Sequence, residues 1–152
     1  MQQIRQCWTV LANKAEDQCE RIQQELVNIQ QRLEGLQANE RRLRQLYAEY
    51  QERLLRPGTL SHGMQDAIGQ RQFMQQITEL IDKVLRDQSI TRQAIQQARA
   101  RLAEAQREKH KMQALVENEL NQAKALEKKR DLKLMDELAL RQFNVRQLHG
   151  HA

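Results

Sequence analysis

The chain has 152 residues, a formal charge of +5 and 30% charged residues, yet only 3% are aromatic, with five glycines and one proline. An apolar fraction of 39%, drawn mostly from Leu, Ile, Ala and Met, excludes a sheet-built core and is the usage of long amphipathic helices. The regular spacing of the large aliphatics speaks against disorder, and the mixing of Asp and Glu with Lys and Arg makes nucleic acid a poor default partner.

Near the start, Arg5 and Lys14 bracket the short apolar stretch Cys7 to Ala12, so no window there reaches membrane-spanning length and nothing marks the chain for secretion. Cys7 and Cys19 on one helix would lie roughly 18 Å apart at about 1.5 Å rise per residue, too far to pair. They read as reduced thiols of a cytoplasmic protein.

The first predicted element is a helix over about residues 2–55. Its stripe runs through Ile4, Trp8, Leu11, Ala15, Cys19, Ile22, Leu26, Ile29, Leu33 and Leu36, then Leu43, Tyr47, Tyr50 and Leu54. Steps of three and four define a coiled-coil seam, and the consecutive four-residue steps at Leu11, Ala15 and Cys19 predict a stutter. Gly35 costs about 1 kcal/mol relative to Ala, too little to end so strongly patterned a helix.

A turn is predicted over about 57–65, where Pro57 and Gly58 are followed by Ser61, His62 and Gly63. The second helix, about 66–146, carries Phe73, Ile77, Ile81, Val84, Ile95, Ala98, Leu102, Ala105, Met112, Val116, Leu120 and Ala123, and its spacing reaches Leu134 and Leu138 before a polar tail at 147–152. The fold expected is all-α, a single antiparallel coiled-coil hairpin whose second helix is the longer. A turn centred near position 60 would put residue i opposite about 121 − i, with Ile4 facing Glu117 and the remainder of helix 2 overhanging.

Two regions exceed what a seam requires. Beside the turn, Leu43, Leu46, Tyr47, Tyr50, Leu54 and Leu55 on helix 1, with Phe73, Met74, Ile77, Leu80, Ile81, Val84 and Leu85 on helix 2, make faces broader than two strands cover, and aromatic side chains with polar tips suit interfaces. The alternative is a thicker hairpin end, with these residues packed on Leu60 and Ile68. In the overhang, Lys124, Lys128, Lys129, Arg130, Lys133, Arg141 and Arg146 outnumber Glu127, Asp131, Asp136 and Glu137, while Leu126, Leu132, Leu134, Met135, Leu138, Leu140 and Phe143 supply apolar surface around the helix. A docking element is the reading preferred over a frayed tail.

Catalytic chemistry is not indicated. His62, His110, His149 and His151 share no metal-ligand spacing, neither cysteine has a neighbouring base, and there is no P-loop, dinucleotide glycine pattern or nucleophile elbow. A two-helix scaffold also lacks a cavity that excludes water, so no enzyme, cofactor or metal is expected.

Three segments carry a family resemblance: Leu46-Tyr47-Ala48-Glu49-Tyr50-Gln51 closing helix 1, Gly69-Gln70-Arg71-Gln72-Phe73-Met74 opening helix 2, and the run from Lys128-Lys129-Arg130 through Met135-Asp136-Glu137-Leu138 to Arg141. In their order and spacing the whole chain resembles the FliJ family of flagellar type III export proteins. The resemblance implies a stalk-like coiled coil, one end of which enters the pore of a hexameric export ATPase. It also implies association with a transmembrane export gate at the cytoplasmic face of the inner membrane, and escort of export chaperones. Gate-contact positions carry over to Leu43, Tyr47, Tyr50, Leu54, Phe73, Ile77, Leu80 and Val84; Leu54 stands where an aromatic residue is more usual in the family, and Val84 where a polar one is. The ATPase-docking residues are then Lys124, Lys128, Lys129, Arg130, Lys133, Leu134, Leu138 and Arg141. The runner-up is the equivalent stalk of a virulence-type secretion system. A basic coiled coil on nucleic acid would bind with steep salt dependence, which the mixed charges disfavour. An unpaired helix also permits weak self-association.

Overall fold

The computed structural model describes residues 2–56 and 63–150, with side chains from Gln6 onward. Two helices account for nearly all of them: α1 (Gln2–Leu55, 54 residues) and α2 (Met64–Gly150, 87 residues). They pack against each other, α2 is the longer, and no strand occurs among the described residues. The Pro57–His62 segment of the expected turn, and Ile4 as a seam side chain, lie outside what is described. Gly63 precedes α2 at φ +96°, a conformation that L side chains rarely adopt and glycine takes without penalty. Asp66 in the first turn of α2 and Arg53 in the last turn of α1 both complement the helix dipole.

Packing falls into two compact units, residues 19–104 and, separately, the residues up to 18 with those from 105 onward. In unit 19–104, α1 buries or half-buries Cys19, Ile22, Leu26, Ile29, Leu33, Leu36, Glu40, Leu43, Tyr47, Tyr50 and Leu54, an unbroken alternation of three and four. The α2 stripe is Met74, Ile77, Ile81, Val84, Gln88, Thr91, Ile95, Ala98 and Leu102. Each fully buried aliphatic of Ile size contributes on the order of 1.5–3 kcal/mol. Antiparallel pairing is fixed by cross-contacts whose α1 partners descend as their α2 partners ascend: Tyr50 with Phe73, Glu40 with Gln88, Glu25 with Arg101.

Several details differ from the sequence expectation. Phe73 is off the seam and exposed, because Met74 keeps the step of three to Ile77. The predicted stutter is absent: Leu11 is exposed and Ala12 half-buried, so Trp8, Ala12, Ala15 and Cys19 continue the regular alternation. Likewise Leu120 is exposed and Glu119 takes the stripe position. A phase set by many consecutive layers outweighs the gain from one larger side chain placed a residue away. The register is also displaced: a centre near 60 would set Glu25 against position 96 and Glu40 against 81, whereas their partners are Arg101 and Gln88.

The gap left by aliphatics between Val84 and Ile95 is filled by a polar layer. Gln88, only 1% exposed, donates from Nε2 to Glu40 Oε2 at 3.0 Å and to the Leu36 carbonyl at 3.3 Å. Thr91, also buried, donates from Oγ1 to the Asp87 carbonyl at 2.7 Å. Glu40 is held further by Arg44 at 3.2 Å. A buried amide is tolerated only when its hydrogen bonds are made.

The other unit is thinner. Its half-buried positions include Trp8, Ala12 and Ala15 on α1 and Ala105, Lys109, Met112, Leu115, Val116, Glu119 and Ala123 on α2, and none of its described residues is fully buried. From Lys124 to Gly150 every residue is exposed.

Candidate binding surfaces

The surface beside the turn is built by the last turns of α1 and the first of α2. Tyr50 and Phe73 bring their ring centroids to 4.9 Å at 50°, a tilted arrangement favoured by aromatic quadrupoles. The Arg53 guanidinium sits 5.3 Å from the Tyr50 ring, adding a cation–π contact. A shallow cleft lies alongside, lined by Tyr50, Leu54, Gln65, Ala67, Gln70 and Phe73. Phe73 and Leu80, seven residues apart and so on one side of α2, are exposed, as is Leu85. Leu43, Tyr47, Tyr50, Leu54 and Val84 are half-buried in the seam. Ile77 is only 2% exposed and belongs to the core, so a partner cannot touch it while the hairpin is closed. Of the two residues on which this surface was alternatively expected to pack, Ile68 is exposed and Leu60 lies outside the described residues.

The second surface is the helix from Lys124 onward. Lys124, Lys128, Lys129, Arg130, Lys133, Leu134, Leu138 and Arg141 are all exposed, and Leu132, Met135, Leu140, Phe143, Val145 and Leu148 are exposed with them. The heptad positions that continue the seam beyond Ala123 are Leu126, Arg130, Lys133, Glu137, Leu140 and Asn144. Three of these six are charged, and α1 begins at Gln2, which the pairing of Thr9 with Glu117 across one groove puts at about the level of Lys124, so farther on α2 has no described stretch of α1 beside it.

Compared with known families, residues 9–148 match the family described as Flagellar FliJ protein. The chain belongs to that family. This makes it a flagellar export-related protein with a helical coiled-coil fold. No curated protein and no solved structure matches it. None of the described helices is long and apolar enough to cross a membrane.

Sequence reasoning missed the polar layer, because Gln88 and Glu40 carry no hydrophobic signal; the one available clue was the missing aliphatic at two consecutive seam positions between Val84 and Ile95. It also missed a groove in the thinner unit, lined by Ala12, Asn13, Glu16, Val116, Leu120 and Lys124, which depends on register rather than residue type.

Proposed function

We propose that this chain is a non-enzymatic coupling element of flagellar protein export, in which the segment from Lys124 onward docks into the hexameric export ATPase. The observation that carries this reading is a 27-residue stretch of continuous helix with no residue even half-buried, on which cations and large aliphatics occur together. An exposed apolar surface of this extent marks an interaction site. The cations suit a pore with an acidic or polar lining, where charge complementarity speeds and orients entry more than it tightens it. A single helix cannot match six equivalent subunits at once, so its contacts with a ring are unequal and loose, as an assembly nucleus or a turning shaft requires.

The surface beside the turn is the proposed contact for the transmembrane export gate, through Phe73 and Leu80 and the accessible edges of Leu43, Tyr47, Tyr50, Leu54 and Val84. Gate contact would hold the chain peripherally at the cytoplasmic membrane face. Escort of export chaperones belongs to the same proposal, with no particular surface assigned.

The test is ATP hydrolysis by the partner ATPase with the full chain and with a chain ending at Ala123. The full chain should stimulate hydrolysis; the shortened one should not, while its far-UV helical signal falls only in proportion to the residues removed. Undiminished stimulation by the shortened chain overturns the assignment of the docking segment.

A further inference from the structure

We propose that the helix beyond Lys124 also pairs reversibly and antiparallel with the same segment of a second copy of this chain, Leu134 of each packing on Leu138 of the other and Asp131 of each meeting Arg141 of the other. Asp131, Leu134, Leu138, Arg141, Val145 and Leu148 follow one another in steps of three and four, the spacing of a coiled-coil stripe. This stripe is displaced by one residue, about 100° around the helix, from the positions that would prolong the intramolecular seam. A partner that covers it therefore binds a face the hairpin does not use.

The stripe is open: Leu134 is 57% and Leu138 54% exposed, with Val145 and Leu148 exposed beside them. A shallow groove lined by Leu138, Arg141, Gln142 and Val145 lies on it, a depression of the kind a partner's side chain enters.

Charge selects the occupant and the register. In the proposed pairing the two leucine contacts sit at the centre and the two Asp131–Arg141 contacts flank them, so one patch is its own complement, as a twofold interface requires. Sliding one copy by a heptad in one direction sets Arg141 against Leu138 and Asp131 against Leu148. Sliding it in the other sets Asp131 against Leu134 and Glu127 against Leu138. A parallel in-register pair sets Asp131 against Asp131 and Arg141 against Arg141. Only the proposed arrangement joins leucine to leucine and opposite charge to opposite charge at its centre; it leaves Glu127 opposite Val145 and Lys124 opposite Leu148 at its ends, whereas the alternatives mispair at the centre itself. Glu127, Asp131, Asp136 and Glu137 do not cancel the surrounding Lys and Arg, so two copies repel overall and the pair is weak. Pairing would compete with ATPase docking for Leu134, Leu138 and Arg141, yet it requires only the purified chain and stands without that reading.

Sedimentation equilibrium of the full chain over a dilution series decides it. The wild type should show a reversible monomer–dimer equilibrium. Arg141→Asp and Asp131→Arg should each raise the dissociation constant about tenfold, since twofold symmetry counts every lost pair twice. The double variant D131R/R141D restores the pairs in reverse and should recover wild-type association. Both substitutions lie at exposed positions, so far-UV helicity should not change in any of the three variants. A chain that remains monomeric throughout, leaving the stripe to a heterologous partner, overturns the proposal. So do single variants without effect, the outcome expected of a parallel pair in which each charge faces its own copy, or a double variant that fails to recover.

Discussion

The stretch from Cys19 to Glu104 and the stretch from Lys124 to Gly150 are both rich in Leu, Arg and Glu and similar in apolar content, yet the first holds every fully buried described residue and the second holds none. Apolar content does not separate them; a facing helix does, because α1 begins at Gln2, at about the level of Lys124, and even the in-phase Leu126 and Leu140 beyond it are exposed. Between Cys19 and Glu104 the aliphatics of both helices fall on stripes that find each other, and even the polar positions Glu40 and Gln88 answer one another across the seam. Beyond Lys124 the aliphatics leave the seam phase and spread around the helix. The first pattern specifies a fold, and the second leaves surface to be used by something else.

The comparison breaks most directly if equivalent truncations cost the same in both stretches. Ile77→Ala removes a side chain only 2% exposed and should lower unfolding free energy by about 2–5 kcal/mol. Leu138→Ala, at a position 54% exposed, should stay within about 0.5 kcal/mol. Urea unfolding of dilute protein, followed by far-UV circular dichroism, measures both. A large loss at Leu138 would mean that the terminal helix is already covered.

The polar layer sharpens the contrast. Gln88→Ala leaves the Glu40 carboxylate without its cross-helix donor and should cost about 1–3 kcal/mol. Replacing both partners, Gln88→Leu together with Glu40→Leu, should by contrast leave stability level or raise it, because well-packed aliphatics replace a desolvated polar pair. Its cost should appear as lost register, the attested role of a lone polar seam residue. A cysteine pair, Glu25→Cys with Arg101→Cys in a Cys7→Ser background, should cross-link cleanly when positions 40 and 88 are Glu and Gln and incompletely when both are Leu. Equal cross-linking would show that the layer does not set the register.

How much of this was legible in the sequence follows the same division. The two helices, their antiparallel packing and the greater length of the second could be read from the spacing together with the break at Pro57 to Gly63, because two amphipathic helices joined by one short turn bury their stripes by folding back on each other. The exact stripe was less legible: choosing the largest nearby apolar residue picked Leu11, Phe73 and Leu120, where the continuing phase selects Ala12, Met74 and Glu119. The register was not legible, since cross-helix contacts such as the hydrogen bond from Gln88 to Glu40 leave no mark in a hydropathy pattern. At the candidate surfaces, composition pointed to the right stretches, but accessibility is a property of the packed pair: it leaves Phe73 and Leu80 open and removes Ile77 from reach.

The smallest effect concerns acid. The hydrogen bond from Gln88 is the main reason the Glu40 carboxyl titrates below its ordinary 4.5; Arg44 and Arg92 add to the effect, against an opposing contribution from desolvation. A carboxyl whose folded value is depressed binds protons less readily folded than unfolded, so its contribution to stability is complete above the ordinary value and disappears as the pH falls through the folded one. Glu40→Gln removes that titration and keeps a side chain that can accept from Gln88. The urea midpoint of the wild type should therefore exceed that of E40Q near neutrality, and the gap should close on acidification through the carboxylate range. Because Glu40 is the one carboxylate placed on the seam of unit 19–104, a gap that is constant with pH would mean that the layer holds its register by shape alone, with the charge on Glu40 contributing nothing.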